Sequence, residues 1–258
     1  MSSEKNNNYN LTKFLQEHRI TQPSKPKKKA NESKDEFKLI YNDYENKIKE
    51  YEIDKKNHTH VWWGQSNGKY KIDKFEYDTL FHLYDEAITN GESCHLLERH
   101  SDLNKSCMVI DIDERYKLDV VERLHTKEHI QKIVKAYISE ICQCFEIEDD
   151  DERLKAYVFE KPCINTTDKE VKDGIHIIFP HIISEYWEQL YIRKNILKKI
   201  PEIMGDLQLT CKPHQLVDEA VIHKNCWFLF GSKKKDNDNY ELSYVFDYNG
   251  NYIFDSDS

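Results

Sequence analysis

Cys107-Met108-Val109-Ile110-Asp111-Ile112-Asp113-Glu114 carries an apolar run straight into two aspartates one residue apart. A short run rich in Val and Ile reads as a buried strand. Strand side chains alternate between faces, so Val109, Asp111 and Asp113 share one face and Met108, Ile110 and Ile112 the other. Two residues of rise put the carboxylates about 6.6 Å apart along the strand, a span that suits one divalent cation or a pair. Carboxylates beside an apolar run carry a desolvation cost unless a cation or donors offset it. The strand alone leaves a second reading open, a solvated acidic strand end.

Around this strand the chain is long enough, at 258 residues, to bury a substantial core. Hydrophobic residues make up 38% and charged residues 33%, and no apolar run reaches the length of a membrane helix. The polar N-terminus lacks the apolar stretch of a signal peptide, so an intracellular protein is expected. Seven cysteines without framework spacing read as reduced thiols. Cys211-x-x-His214 and the Cys94, His95, His100, Cys107 group offer weak zinc spacings. The net charge of −9 argues against indiscriminate nucleic-acid binding but leaves room for a local basic groove.

Upstream, residues 1–35 form an N-terminal segment and flexible basic linker: a short helix is expected over 11–20, then a Pro-interrupted stretch with Lys27-Lys28-Lys29. Residues 36–258 are long enough for one large domain or two small ones. Phe37, Ile40, Tyr41, Tyr44, Ile48 and Tyr51 follow helical spacing, and the stripe is expected to be core. A strand over 59–63 turns at 64–68 and returns over 69–72. Asp73 then opens a helix to Ile88, with Phe75, Leu80, Phe81 and Tyr84 inward. Downstream, a helix runs from Thr126 to Phe145, an acidic run fills 146–152, and 154–159 is a strand. Gly174 breaks the chain, Ile175–Phe179 forms a strand, and Pro180 stops it. His176 is the polar side chain within that strand. A helix over 185–200 carries Trp187, Leu190 and Tyr191. A strand over 226–230 runs into Gly231-Ser232-Lys233-Lys234-Lys235, a turn that can grip phosphate through N–H groups and ammonium charges. Asn249-Gly250 between two strands signals a hairpin.

Singly these signals are weak, but their order is informative. Asp111-Ile112-Asp113, then Gly174-Ile175-His176, then Asp218, then Gly231-Ser232-Lys233-Lys234 resembles the archaeo-eukaryotic primase superfamily. The likeness is to the primase domain of the helicase–primases of nucleocytoplasmic large DNA viruses. It covers about Leu11 to Phe254. The resemblance implies an α+β (α/β) fold with mixed or antiparallel palm-like sheets and packed helices. It implies two divalent cations, Mg²⁺ or Mn²⁺, on Asp111, Asp113 and Asp218. Lys172, His176, Ser232 and Lys234 would contact the triphosphate of an NTP or dNTP on a single-stranded DNA template. A helicase domain is expected in the same or a partner chain, no membrane is involved, and replication would take place in the host cytoplasm. Two departures stand out: Gly174 replaces the serine of the common motif, and Trp227 lies where many relatives carry arginine. Asp206 competes with Asp218 for the third carboxylate. Two alternatives are a Mn²⁺-dependent Asp-x-Asp glycosyltransferase and a non-catalytic domain that binds single-stranded nucleic acid.

Overall fold

The computed structural model describes residues 9–27, 29, 33–65, 67–99, 105–148, 151–235 and 237–256. Lys28 of the lysine run, Ser66 of the glycine turn, His100 of the cysteine–histidine group and Asp149 and Asp150 of the acidic run lie outside them. The chain forms two compact units, residues 1–99 and 100–258.

In the first unit α1 (Leu11–Glu17) is capped by Asn10, whose side chain accepts from the Lys13 N–H, and it buries Leu11, Phe14 and Leu15. The longer α2 (Lys34–Lys56) starts on a Ser33–Glu36 capping box. Its apolar stripe was expected to be core, yet no residue of α2 is buried, and Ile40 is exposed. Periodicity states that one face is apolar; it does not state what covers it. Strands β1 (His60–Trp62) and β2 (Gly68–Tyr70) pair antiparallel, and β3 (Leu96–Glu98) adds to β1. Between them α3 (Tyr77–Thr89) buries Leu80, Leu83, Tyr84 and Ala87. Phe75, expected inward, is 83% exposed: a short 3₁₀ turn over Lys74–Glu76 precedes α3 and rotates Phe75 off its inner face.

The second unit is built on one antiparallel sheet. Its strands are β4 (Lys105–Tyr116), β5 (Ala156–Glu160), β6 (Asn165–Thr166), β7 (Val171–Glu185), β9 (Glu241–Phe246) and β10 (Tyr252–Asp255), while the short strand β8 (Trp227–Phe228) lies in this unit outside that sheet. Pairing runs β10-β9-β5-β7-β4, with β6 also on β7. Two helices, α4 (Lys127–Phe145) and α5 (Tyr186–Ile203), cover one face. Ile130, Ile133, Ile141, Ile192 and Ile196 meet Ile110, Ile112, Ile175 and Ile177 there in the main core. The short helices α6 (Pro213–Leu216) and α7 (Ala220–His223) border β4. On the sheet's other face Val109, Val221, Ile222 and Trp227 form a small second cluster. The fold is α+β with antiparallel sheets, as expected.

Strand β7 is much longer than the stretch between Gly174 and Pro180. It passes through both. Its register with β4 shifts between Cys107 and Met108: Met108 faces Phe179, whereas Cys107 faces Ile183. Pro180 falls inside this irregularity, where the ladder needs no N–H from it. The Asn249-Gly250 hairpin forms as expected, with Gly250 in the left-handed region at φ 66°.

Candidate active site

The register of β4 on β7 sets the site. Asp111 pairs with His176, and Asp113 with Gly174. Alternation then puts Asp111, Asp113, His176 and Gly174 on the face opposite the helices. Phe159 of β5 faces His176 across the next ladder. The third carboxylate arrives by a backbone contact. Val217 bridges Ile112, and the Asp218 N–H donates to the Asp111 carbonyl at 2.9 Å. Asp206 sits elsewhere, against His129 at 3.0 Å.

Asp111 is crowded by like charge. Burial, Asp113 and Asp218 push its carboxyl up to about 7, while Lys234 and Lys161 pull the other way. Asp113 is partnered by Arg115 at 2.7 Å, and Arg115 also reaches Glu170 at 3.4 Å. Asp218 accepts from the Ala220 N–H at 3.0 Å. His176 is buried and flanked by two rings. Tyr240 stacks on it at 3.5 Å and 15°, and Trp227 lies at 4.4 Å and 37°. Burial, Lys161 and Lys234 hold this imidazole down to about 3, so it stays neutral. Its Nε2 is 3.7 Å from Asp111 Oδ1. Ser232 is buried in the turn after β8, where Gly231 takes φ 80°. Lys172 shares the open face by register, opposite Arg115, but its ammonium pairs with Glu170 at 3.2 Å.

Sequence reasoning missed two participants. Lys161, just beyond β5, acts on the charge of both Asp111 and His176 and lies over the Tyr240 ring at 5.4 Å. Burial and Lys234 lower its own pKa. Tyr240 explains Gly174: a Cβ on that glycine would come within 2.5 Å of the Tyr240 hydroxyl. The serine of the common motif would require the Tyr240 hydroxyl to shift. Trp227 likewise occupies its non-arginine position as a packing surface for His176.

On the helix-covered face of the same strands lies a second polar cluster that no motif announced. Glu114 and Asp173 face each other across β4 and β7. His125 bonds Glu114 through Nδ1 and Glu160 through Nε2, both at 2.7 Å. Arg123 holds both Asp173 oxygens, at 2.7 and 3.0 Å, and Glu160 at 3.0 Å. Glu114, His125 and Asp173 offer ligand atoms within 4.8 Å of one another, the one such group among the described residues, and could hold a metal ion. The protein's own charges already serve it. Burial opposes protonation of His125, but its carboxylate partners raise it to about 9. Among the described residues, that group of possible ligands contains neither Cys211 and His214 nor Cys94, His95 and Cys107.

Residues 59–246 match the family model described as the C962R protein N-terminal AEP domain, where AEP denotes archaeo-eukaryotic primase. The chain belongs to this primase family. The sheet, its helices and the order of the motif residues agree with that membership, which sets aside the glycosyltransferase alternative. The chain is also 30% identical over 181 residues to the helicase-named protein L207/L206 of Acanthamoeba polyphaga mimivirus. It is 23% identical over 217 residues to the helicase-named protein 184R of Invertebrate iridescent virus 6. These alignments cover 69% and 74% of the chain but only 18% and 22% of those relatives. No described helix is long and apolar enough to cross a membrane.

Proposed function

We propose that this chain is the catalytic domain of a DNA primase or primase–polymerase. It would join NTPs or dNTPs on a single-stranded DNA template in viral DNA replication. Residues 36–258 would be the catalytic domain and residues 1–35 an N-terminal segment with a basic linker. A helicase domain would act in the same chain or a partner, at an intracellular replication site in the host cytoplasm. What carries this reading is the convergence of three carboxylates and a neutral imidazole on one open sheet face.

The residues fit a hard cation. Carboxylate oxygens suit Mg²⁺ or Mn²⁺, and like-charge crowding at Asp111 is relieved by positive charge. Asp113 must exchange Arg115 for the ion. Bound at Asp111, Asp113 and Asp218, two cations would neutralise charge on the attacking 3′-oxygen and on the leaving pyrophosphate. His176, neutral and held between Tyr240 and Trp227, offers one ring N–H to a phosphate oxygen without titrating. Lys161, Lys234 and the Ser232 turn add donors and positive charge for the triphosphate, and Lys172 would join them by leaving Glu170.

The direct test is template-dependent incorporation of labelled NTP or dNTP with Mg²⁺ or Mn²⁺. Asp111→Asn is expected to abolish it in a folded protein. Full activity in that variant overturns the reading. Absence of synthesis by the unsubstituted chain, with oligonucleotide binding retained, favours a non-catalytic binding domain.

A further inference from the structure

Helix α5 leaves β7 with aromatic rings in solvent. Trp187 and Tyr191 are 54% and 56% exposed. The helix has a buried face of its own, filled by Gln189, Ile192, Arg193, Ile196, Ile200 and Ile203. The rings are therefore not spare core residues. Helical spacing aligns Trp187, Tyr191, Lys194 and Lys198 in one stripe at i, i+4, i+7 and i+11, and all four are exposed. Two aromatic residues are followed by two ammonium groups.

Local contacts prepare the stripe. The Trp187 indole N–H donates to Glu185 at 2.6 Å, which anchors the ring by its edge. Glu188 caps the helix through the Glu185 N–H at 2.7 Å, so its charge is turned to the helix start. Lys198 donates to a neutral amide oxygen, Asn195 Oδ1, at 3.0 Å. Of the basic residues of α5, Arg193 is buried against Glu219 and Lys199 pairs with Glu140, whereas Lys194 and Lys198 stand on the exposed stripe. The surface continues toward the catalytic strand: Tyr186 packs beside His223 at 5.9 Å, at the end of α7, which follows Asp218.

Exposed ring faces stack on any base whose own face is bare, and ammonium groups in line with them track phosphates. A duplex hides its base faces; a single strand does not. We propose that the Trp187–Tyr191–Lys194–Lys198 stripe binds single-stranded nucleic acid, stacking bases on the rings and pairing phosphates with the lysines. This rests on the templated-synthesis reading and names a strand-binding surface for it. DNA and RNA share the recognised chemistry.

The test uses the full chain and fluorescence anisotropy with labelled oligothymidylate, oligouridylate and a DNA duplex. Trp187→Ala and Tyr191→Ala are each expected to weaken single-strand binding about fivefold or more and to leave duplex binding unchanged, while Trp187→Phe retains most of the affinity. Each of Lys194→Gln and Lys198→Gln is expected to lower the slope of log affinity against log salt by about 0.7. Unchanged single-strand affinity in the Trp187→Ala/Tyr191→Ala double variant overturns the stripe, as does equal weakening of duplex and single strand. Asp111→Asn separates the two readings: it is expected to bind oligonucleotide normally and make no product. If the stripe variants bind normally while Asp111→Asn is inactive, only the stripe fails. If Asp111→Asn still synthesises, the catalytic reading fails.

Discussion

Strands β4, β5 and β7 carry three carboxylates on their helix-covered face, and β4 with its Asp218 neighbour carries three on the open face. The two sets are chemically alike and differently completed. Glu114, Glu160 and Asp173 receive Arg123 and His125 in direct contact. Asp111 has instead the neutral His176 imidazole at 3.7 Å, and Lys161 and Lys234 act on its charge while Asp113 and Asp218 oppose it. The covered set is cross-linked by the protein's own cations, although the buried Glu114 Oε1 has no hydrogen-bond partner among the described residues. The open set has charge left over for a ligand. One residue joins them, because Arg123 also donates to the Lys161 carbonyl at 2.6 Å and so holds a basic participant of the open site by its backbone.

The comparison breaks most sharply if matched substitutions fail to act in opposite directions. Asp111→Asn should reduce incorporation on the order of a thousandfold, since several kcal/mol of charge stabilisation depend on that site. The same change should stabilise the metal-free fold. Asp111 ionises at 3.8 when unfolded and at about 7 when folded, so its ionisation works against folding, and stability declines as pH rises between those values. Asparagine never ionises, and a gain on the order of 1–4 kcal/mol at neutral pH is expected in urea unfolding. Arg123→Ala should do the reverse. It leaves Asp173 buried without its cation and should cost about 3–5 kcal/mol.

Melting against pH separates the faces further. His125 is raised from 6.5 to about 9. Its contribution is complete below 6.5 and lost as pH rises through about 9. His125→Gln should flatten that upper limb alone, and Asp111→Asn the limb between 3.8 and about 7 alone. A loss of both limbs in either variant would mean that the clusters are not separate. Mn²⁺ titration followed by calorimetry sharpens the same point. The ion requires ionised Asp111, so affinity should rise about tenfold per pH unit below about 7 and level off above it. A flat profile would remove Asp111 from the ligand set.

Much of the open site was legible because strand alternation assigns faces: Asp111, Asp113 and His176 announce themselves as polar positions in apolar strands. Register was not legible, and register is what sets Asp111 beside His176. Lys161 and Tyr240 lie just outside strand ends in no motif, and only the folded sheet brings them in. The covered network did leave a trace. Glu114, Asp173 and Glu160 alternate in phase with Ile112, Ile175 and Val158, so they are charges at core-facing positions, which demand partners. Their partners, Arg123 and His125, sit in the loop before α4, where sequence pattern is silent. On α2 the periodicity was real, but the face it marks is not buried.

The smallest effect tests how tightly the open face is packed. Gly174 is tied to Tyr240 because an added Cβ would meet the hydroxyl at 2.5 Å, whereas the ring carbon bearing that hydroxyl lies at 3.5 Å, an ordinary contact. Gly174→Ala should therefore push Tyr240 off the His176 ring, at a cost of about 1–3 kcal/mol, and raise KM for the nucleotide more than it lowers kcat. Tyr240→Phe removes the obstructing oxygen and keeps the stacked ring. The double variant Gly174→Ala/Tyr240→Phe should recover most of the lost nucleotide affinity. If it does not, the glycine serves the close approach of a phosphate to the backbone rather than the close approach of Tyr240.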